Sequence, residues 1–142
     1  MKENINVLDE INKGAVMGVD AINYLIDKVK DKKLKKILEE QRADYGAVSD
    51  KVNELYDEYS DKKPHEPNTL EKIMSWYGIE FRILTDESDS KISDLILQGT
   101  NMGIIEGRKI LNNKDMDKII RQLVESFVKL QEDYVEKLKK YL

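Results

Sequence analysis

From Leu8 onward, apolar residues recur at alternating steps of three and four: Leu8, Ile11, Ala15, Gly18, Ile22, Leu25 and Val29. This spacing keeps them on one face of a long helix and predicts a bundle element. The polar stretch "VKDKK" interrupts the run, and its Asp31 is placed to cap a second helix. That helix carries Leu34, Leu38, Gln41, Tyr45, Val48, Val52, Leu55 and Tyr59, so residues 3–59 read as a helical hairpin. Both prolines fall in "SDKKPHEPNT" (60–69), which has no large apolar residue and reads as a loop. "LEKIMSWYGIEFRIL" sets Leu70, Met74, Tyr77, Phe81 and Leu84 on one face, widened by Ile73, Trp76 and Ile83. It predicts a short helix over 70–86, apolar around much of its girth. "TDESDS" (85–90) supplies several caps and a break. A third helix follows with Ile92, Leu95, Ile96, Gly99, Met102, Gly103 and Ile110. "NNKD" (112–115) then turns the chain into a fourth, striped by Met116, Ile120, Leu123, Phe127, Leu130, Tyr134, Leu138 and Tyr141. Residues 89–141 form the second hairpin of one all-α domain spanning 1–142.

Two short stretches repeat across the hairpins: "GAVMG" at 14–18 and "GTNMG" at 99–103. Glycine inside a helix costs about 1 kcal/mol relative to alanine, so a pair one turn apart, used twice, calls for a reason. A shift of 85 superimposes Ile11 on Ile96, Gly14 on Gly99, Met17 on Met102, Gly18 on Gly103 and Leu25 on Ile110. Beyond a turn shorter by three residues the shift becomes 82, and Leu34, Leu38, Tyr45, Val48 and Tyr59 fall on Met116, Ile120, Phe127, Leu130 and Tyr141. Two hairpins of one ancestry account for this most simply, because generic stripes would not also align glycines and methionines. The expected role is helix packing. Helix one would cross helix three where Cβ atoms are missing, with Met17 and Met102 filling nearby space and Gly107 extending the groove. The other reading is that each glycine makes room for a bulky neighbour such as Tyr45, Phe127 or Trp76.

At "INKGAVMGVDAINYL" and "SKISDLILQGTNMGIIEG" the chain resembles the uncharacterised, rubrerythrin-related bundle proteins of clostridia and other Firmicutes. The resemblance implies a ferritin-like fold, with the short helix of 70–86 in or beside the crossover between hairpins. It also implies, for members with a known type of activity, a di-metal site built from one Glu on each of helices one and three and a Glu-x-x-His on each of helices two and four. The pattern fails here. Near Gly14–Gly18 only Asp20 is acidic, off the main stripe, and neither "EEQRADYGAV" nor "IRQLVESFVKL" contains His. The single histidine, His65, lies between the two prolines. An all-carboxylate site from Asp20, Asp44, Glu106 and Glu125 suits a hard cation in principle. But Glu106 aligns with Ala21 and Asp44 with Ser126, so these acids are not the symmetric set a duplicated site inherits. No catalytic, cofactor-binding or metal site is therefore expected. The alternative is a rubrerythrin-like oxidoreductase or metal-storage protein with iron or manganese.

Composition narrows the partners. Charged residues make up 37% of the 142 positions against 40% hydrophobic, which is too apolar for disorder. The net charge of −4, with both signs interspersed, offers no cationic stripe for nucleic acid. The absence of cysteine removes thiolate ligands and a thiol nucleophile together. No run approaches a membrane span, and the first residues lack the apolar stretch of a signal peptide, so a cytoplasmic location is expected. A four-helix bundle satisfied by its own stripes leaves Ile73, Trp76, Tyr77 and Phe81 over as an interaction surface, capping the bundle or pairing with a second copy. The expected function is non-enzymatic, through protein–protein interaction or self-association, as a homodimer or with an unidentified protein.

Overall fold

The computed structural model describes residues 2–59 and 85–142. Helix α1 spans Asn4–Leu25 and ends in a single 3-10 turn, Ile26–Lys28. Helix α2 spans Lys32–Tyr59, α3 Asp89–Asn113 and α4 Lys118–Leu138, with a closing 3-10 turn at Lys139–Tyr141. Among the described residues there is no strand. The predicted short helix of 70–86 lies almost wholly outside the described residues, and 85–88 are not helical. Ile73, Trp76, Tyr77, Phe81 and His65 also lie outside them.

Local chemistry explains two of the four helix starts. The Asp31 carboxylate accepts from the backbone N–H groups of Lys33 (2.8 Å) and Leu34 (3.0 Å), satisfying two donors that the first turn of α2 cannot pair internally. The Ser88 hydroxyl accepts from the Lys91 N–H at 3.1 Å and caps α3, while Ser88's own N–H is held by Asp86. Helix α4 differs. Asp117 stands at its cap position but makes no side-chain capping bond, because its carboxylate is engaged elsewhere. The fourth stripe is corrected accordingly: Met116 is buried in the turn before α4 rather than within it.

Contacts at the two ends establish the topology. At one end, Asp89 at the start of α3 accepts from the backbone N–H groups of Lys30 (2.8 Å) and Asp31 (2.9 Å), and Lys28 meets Glu87 at 3.1 Å. The α1–α2 turn therefore sits beside the beginning of α3. At the other end, Asp117 accepts from Lys2 (2.6 Å) and from the Tyr59 hydroxyl (2.7 Å), its N–H donates to Asn4, and Glu3 N–H donates to the Asp115 carbonyl. Helix α1 thus runs antiparallel to α3, and α2 antiparallel to α4. The order is up-down-down-up, and the chain leaving Tyr59 at one end enters α3 at the other.

The stripes form one continuous core. Leu8, Ile22 and Leu25 of α1, Leu34, Leu38 and Val52 of α2, Ile92 of α3, and Ile120, Val124 and Leu138 of α4 are wholly buried. Each such aliphatic side chain contributes about 2 kcal/mol relative to exposure. Two sequence expectations need correction. Met102 is 39% exposed while its motif mate Met17 is 1% exposed, so the two methionines do not fill equivalent space. The glycine notches also differ from the expected close approach of helix one to helix three. A Cβ on Gly18 would overlap the Tyr45 ring, one on Gly103 the Gln131 amide and one on Gly107 the Val128 side chain, while Gly14 faces the Phe127 ring at 3.6 Å. The notches seat side chains of α2 and α4. Gly99 is buried on α3.

Gly46, in the middle of α2, has nothing within 4 Å of where a Cβ would stand. Replacement by alanine there should raise stability by up to about 1 kcal/mol, whereas Gly18→Ala must displace the Tyr45 ring and should cost about 1–3 kcal/mol. Urea unfolding of the two variants provides the comparison.

Candidate functional site

Two of the residues that fill these notches, Tyr45 and Gln131, belong to one hydrogen-bonded layer across the middle of the bundle. Helix α2 contributes Gln41 and Tyr45, one turn apart on its buried face; α3 contributes Thr100 and α4 contributes Gln131. The Gln41 amide donates from Nε2 to the Tyr45 oxygen (3.0 Å) and to Thr100 Oγ1 (2.9 Å). Tyr45 in turn donates to Gln131 Oε1 at 3.3 Å, and Thr100 donates to the Ile96 carbonyl at 2.7 Å. All four side chains are at most 3% exposed. The Tyr45 ring also meets Phe127 edge to face, with centroids 5.6 Å apart and planes at 76°. Gln41 Oε1 and Gln131 Nε2 have no protein partner, so the layer carries one free acceptor and one free donor.

The two motif glycines now have a shared purpose. Gly18 accepts the Tyr45 ring and Gly103 accepts the Gln131 amide, and these two side chains bond to each other. The shift of 82 equates Tyr45 with Phe127. In the bundle, however, the residue set against Gly103 as Tyr45 is set against Gly18 is Gln131, one turn further along α4. The shift that superimposes the stripes does not superimpose the notch partners.

Beside this layer, the Tyr134 hydroxyl donates to the Asp44 carboxylate at 2.5 Å, and the Lys137 ammonium lies 4.9 Å from the Tyr134 ring centre. Burial, and then the hydrogen bond to Asp44 and its charge, push the Tyr134 phenol well above its ordinary ionisation range. Burial also raises that of Tyr45, against the lowering effect of its bonds to Thr100 and Gln41. Both phenols stay neutral, and the four-residue layer contains no charge.

The acids singled out from the sequence do not converge. Asp44 is engaged by Tyr134, Glu106 pairs with Lys109 at 3.5 Å on the surface of α3, Glu125 is exposed on α4 and Asp20 is half-buried on α1. Among the described residues no group of three or more His, Asp or Glu could hold a metal ion. A di-metal centre of the ferritin-like kind needs inward carboxylates from all four helices and a histidine from each of two of them. The amide, hydroxyl and phenol at this bundle centre do not fit one.

Sequence reasoning placed Gln41 and Tyr45 on the buried stripe but passed over Thr100 and Gln131. The available signal was a polar residue at a stripe position facing a helical glycine. No protein family, no curated protein and no solved structure matches the chain.

Tyr45→Phe should cost about 1–3 kcal/mol, since it strands Gln131 Oε1 and one Gln41 N–H in the core; denaturant unfolding measures it. A second expectation concerns alkaline pH. In the unfolded chain both phenols ionise near pH 10, while in the fold their raised ionisation keeps them protonated. The folded state then binds more protons, so the stability they contribute is complete below about pH 10 and is lost as pH rises beyond it. Unfolding followed across that range should show a shallower decline for Tyr134→Phe than for the wild type.

Proposed function

We propose that the chain is a ferritin-like bundle of two hairpins of common descent, in which the layer around Tyr45 stands where a metal centre would lie. It acts in the cytoplasm as a non-enzymatic module, through protein–protein interaction or self-association. The observation that carries this reading is the neutrality of the bundle centre. Gln41, Tyr45, Thr100 and Gln131 fill it with groups that do not ionise near neutral pH, and the Tyr45 and Thr100 hydroxyls are bonded to amides and a carbonyl with no base to activate them, so the outer faces are left to do the work. The ferritin-like part of the proposal is supported by the up-down-down-up order with a single long connection between hairpins. The repeated glycine motif supports common descent. No described helix is long and apolar enough to cross a membrane.

The test is capture of the tagged chain from its native source without chelators, with oligomer mass and metal content measured on the same material. The expected result is a stoichiometric protein companion or a self-complex. A bare monomer overturns the proposal. So does stoichiometric iron or manganese with peroxide or oxygen turnover that Asp44→Asn or Glu106→Gln abolishes.

A further inference from the structure

Helix α2 carries its surface charges the wrong way round for its own stability. Behind the Asp31 cap its first turn holds Lys32, Lys33 and Lys35, and its last turn holds Asp57 and Glu58. The helix dipole favours acids near the N-terminus and cations near the C-terminus, each by about 0.3–1 kcal/mol. Here both ends oppose it. Among the described residues, the one ion pair on α2 joins Lys51 to Glu54 at 3.4 Å, with both side chains more than half exposed. Folding therefore leaves the arrangement without a reason inside the chain.

The same charges share one face. By helical spacing Lys36, Ala43, Ala47 and Glu54 form a line down the side of α2 that points away from the core, and all four are exposed. Lys32 and Lys33 flank the line at its N-terminal end, Asp57 and Glu58 at its C-terminal end. Its middle has no long side chain. Gly46 borders Ala43 and Ala47 there, and nothing lies within 4 Å of where its Cβ would stand, so no neighbour in the fold requires that glycine. A helix face basic at one end, acidic at the other and flat between them is complementary to a second copy of itself laid antiparallel. Laid parallel, it sets lysine against lysine and acid against acid.

We propose that two copies of this chain associate through the outward faces of α2, antiparallel about a two-fold axis level with Tyr45. One register serves every contact. Residues whose numbers add to 90 stand opposite one another, so Ala43 meets Ala47 of the other copy and Lys36 meets Glu54. On one side of this line Lys32 stands near Asp57; on the other, Lys33 stands near Glu58 and Glu40 near Lys51, each within one residue of the same register. Glu39 and Asp50 are the like-charged pair it brings together. The acidic end of each copy thus offsets the misplaced lysines of the other, and the small residues let the two backbones approach. This deepens the self-association reading of the bundle and rests on it. One helix pair buries less surface than a permanent dimer, so the association is concentration-dependent.

Sedimentation velocity at low salt, from micromolar to millimolar protein, tests the proposal, with circular dichroism confirming that each variant folds. The wild type should pass from monomer to dimer, and added salt should reverse this, because exposed ion pairs are screened. Lys36→Glu and Glu54→Lys should each weaken self-association by about tenfold or more, equivalent to roughly 1.4 kcal/mol, since the two-fold makes each reversal spoil two contacts. Mixed together, the two variants should associate with each other, because one presents two acids where the other presents two bases. A dimer indifferent to salt or to either reversal, or variants that stay apart when mixed, overturns the α2 contact while leaving the interaction reading intact. A wild-type monomer that instead binds a different protein overturns the second copy as occupant and keeps that reading. A monomer with no companion of any kind defeats both.

Discussion

A buried phenol with its hydroxyl far from water must be given room for its ring and partners for its oxygen. Tyr45 imposes both demands on this bundle. Room comes from the missing side chain of Gly18, because any Cβ there would occupy the ring's volume. Partners come from Gln41 on the same helix and Gln131 on α4; Gln41 also donates to Thr100, so the layer links α2 to both α3 and α4. Gln131 in turn occupies the notch at Gly103. The packing of all four helices is thereby tied to one layer: a slip of α2, α3 or α4 by one turn would break hydrogen bonds that the dry interior cannot replace, and a slip of α1 would move the Gly18 notch away from the Tyr45 ring. An aliphatic stripe tolerates such a slip, since one leucine substitutes for another; a polar layer does not.

The bundle ends are held by a different logic. Two aspartates, Asp89 and Asp117, each gather donors from other parts of the chain. Lys2 and the Tyr59 hydroxyl hold the Asp117 carboxyl below the usual carboxylate range, with desolvation opposing them. These contacts are exposed and contribute little cohesion individually. Their effect is directional: they fix which helix end meets which, and with it the up-down-down-up order. Cohesion comes from the aliphatic rows between the clasps, and axial register from the polar layer at the centre.

Scaffolds of this topology place metal chemistry where four helices can each aim a ligand inward. Here the same convergence supplies amide, hydroxyl and phenol, which specify structure and have no charge with which to bind a cation. On the surface, Met102 and Ile105 are exposed on α3.

The sequence by itself determined the helices, the hairpins and the buried stripes, because apolar periodicity and caps such as Asp31 and Ser88 act within a few residues. It also flagged the glycines as exceptional. Tyr45 and Phe127 were among the neighbours it offered for the notches, and they stand against Gly18 and Gly14; that Gln131 and Val128 fill those at Gly103 and Gly107 was decided only by the tertiary structure. The contact of Gly103 with Gln131 depends on the relative height of α3 and α4, and the periodicity of a helix is blind to a shift by whole turns. The same blindness hid the contrast between Met17 and Met102, identical in their motifs yet one enclosed and the other open to solvent, because burial on a helix is settled by what its neighbours cover.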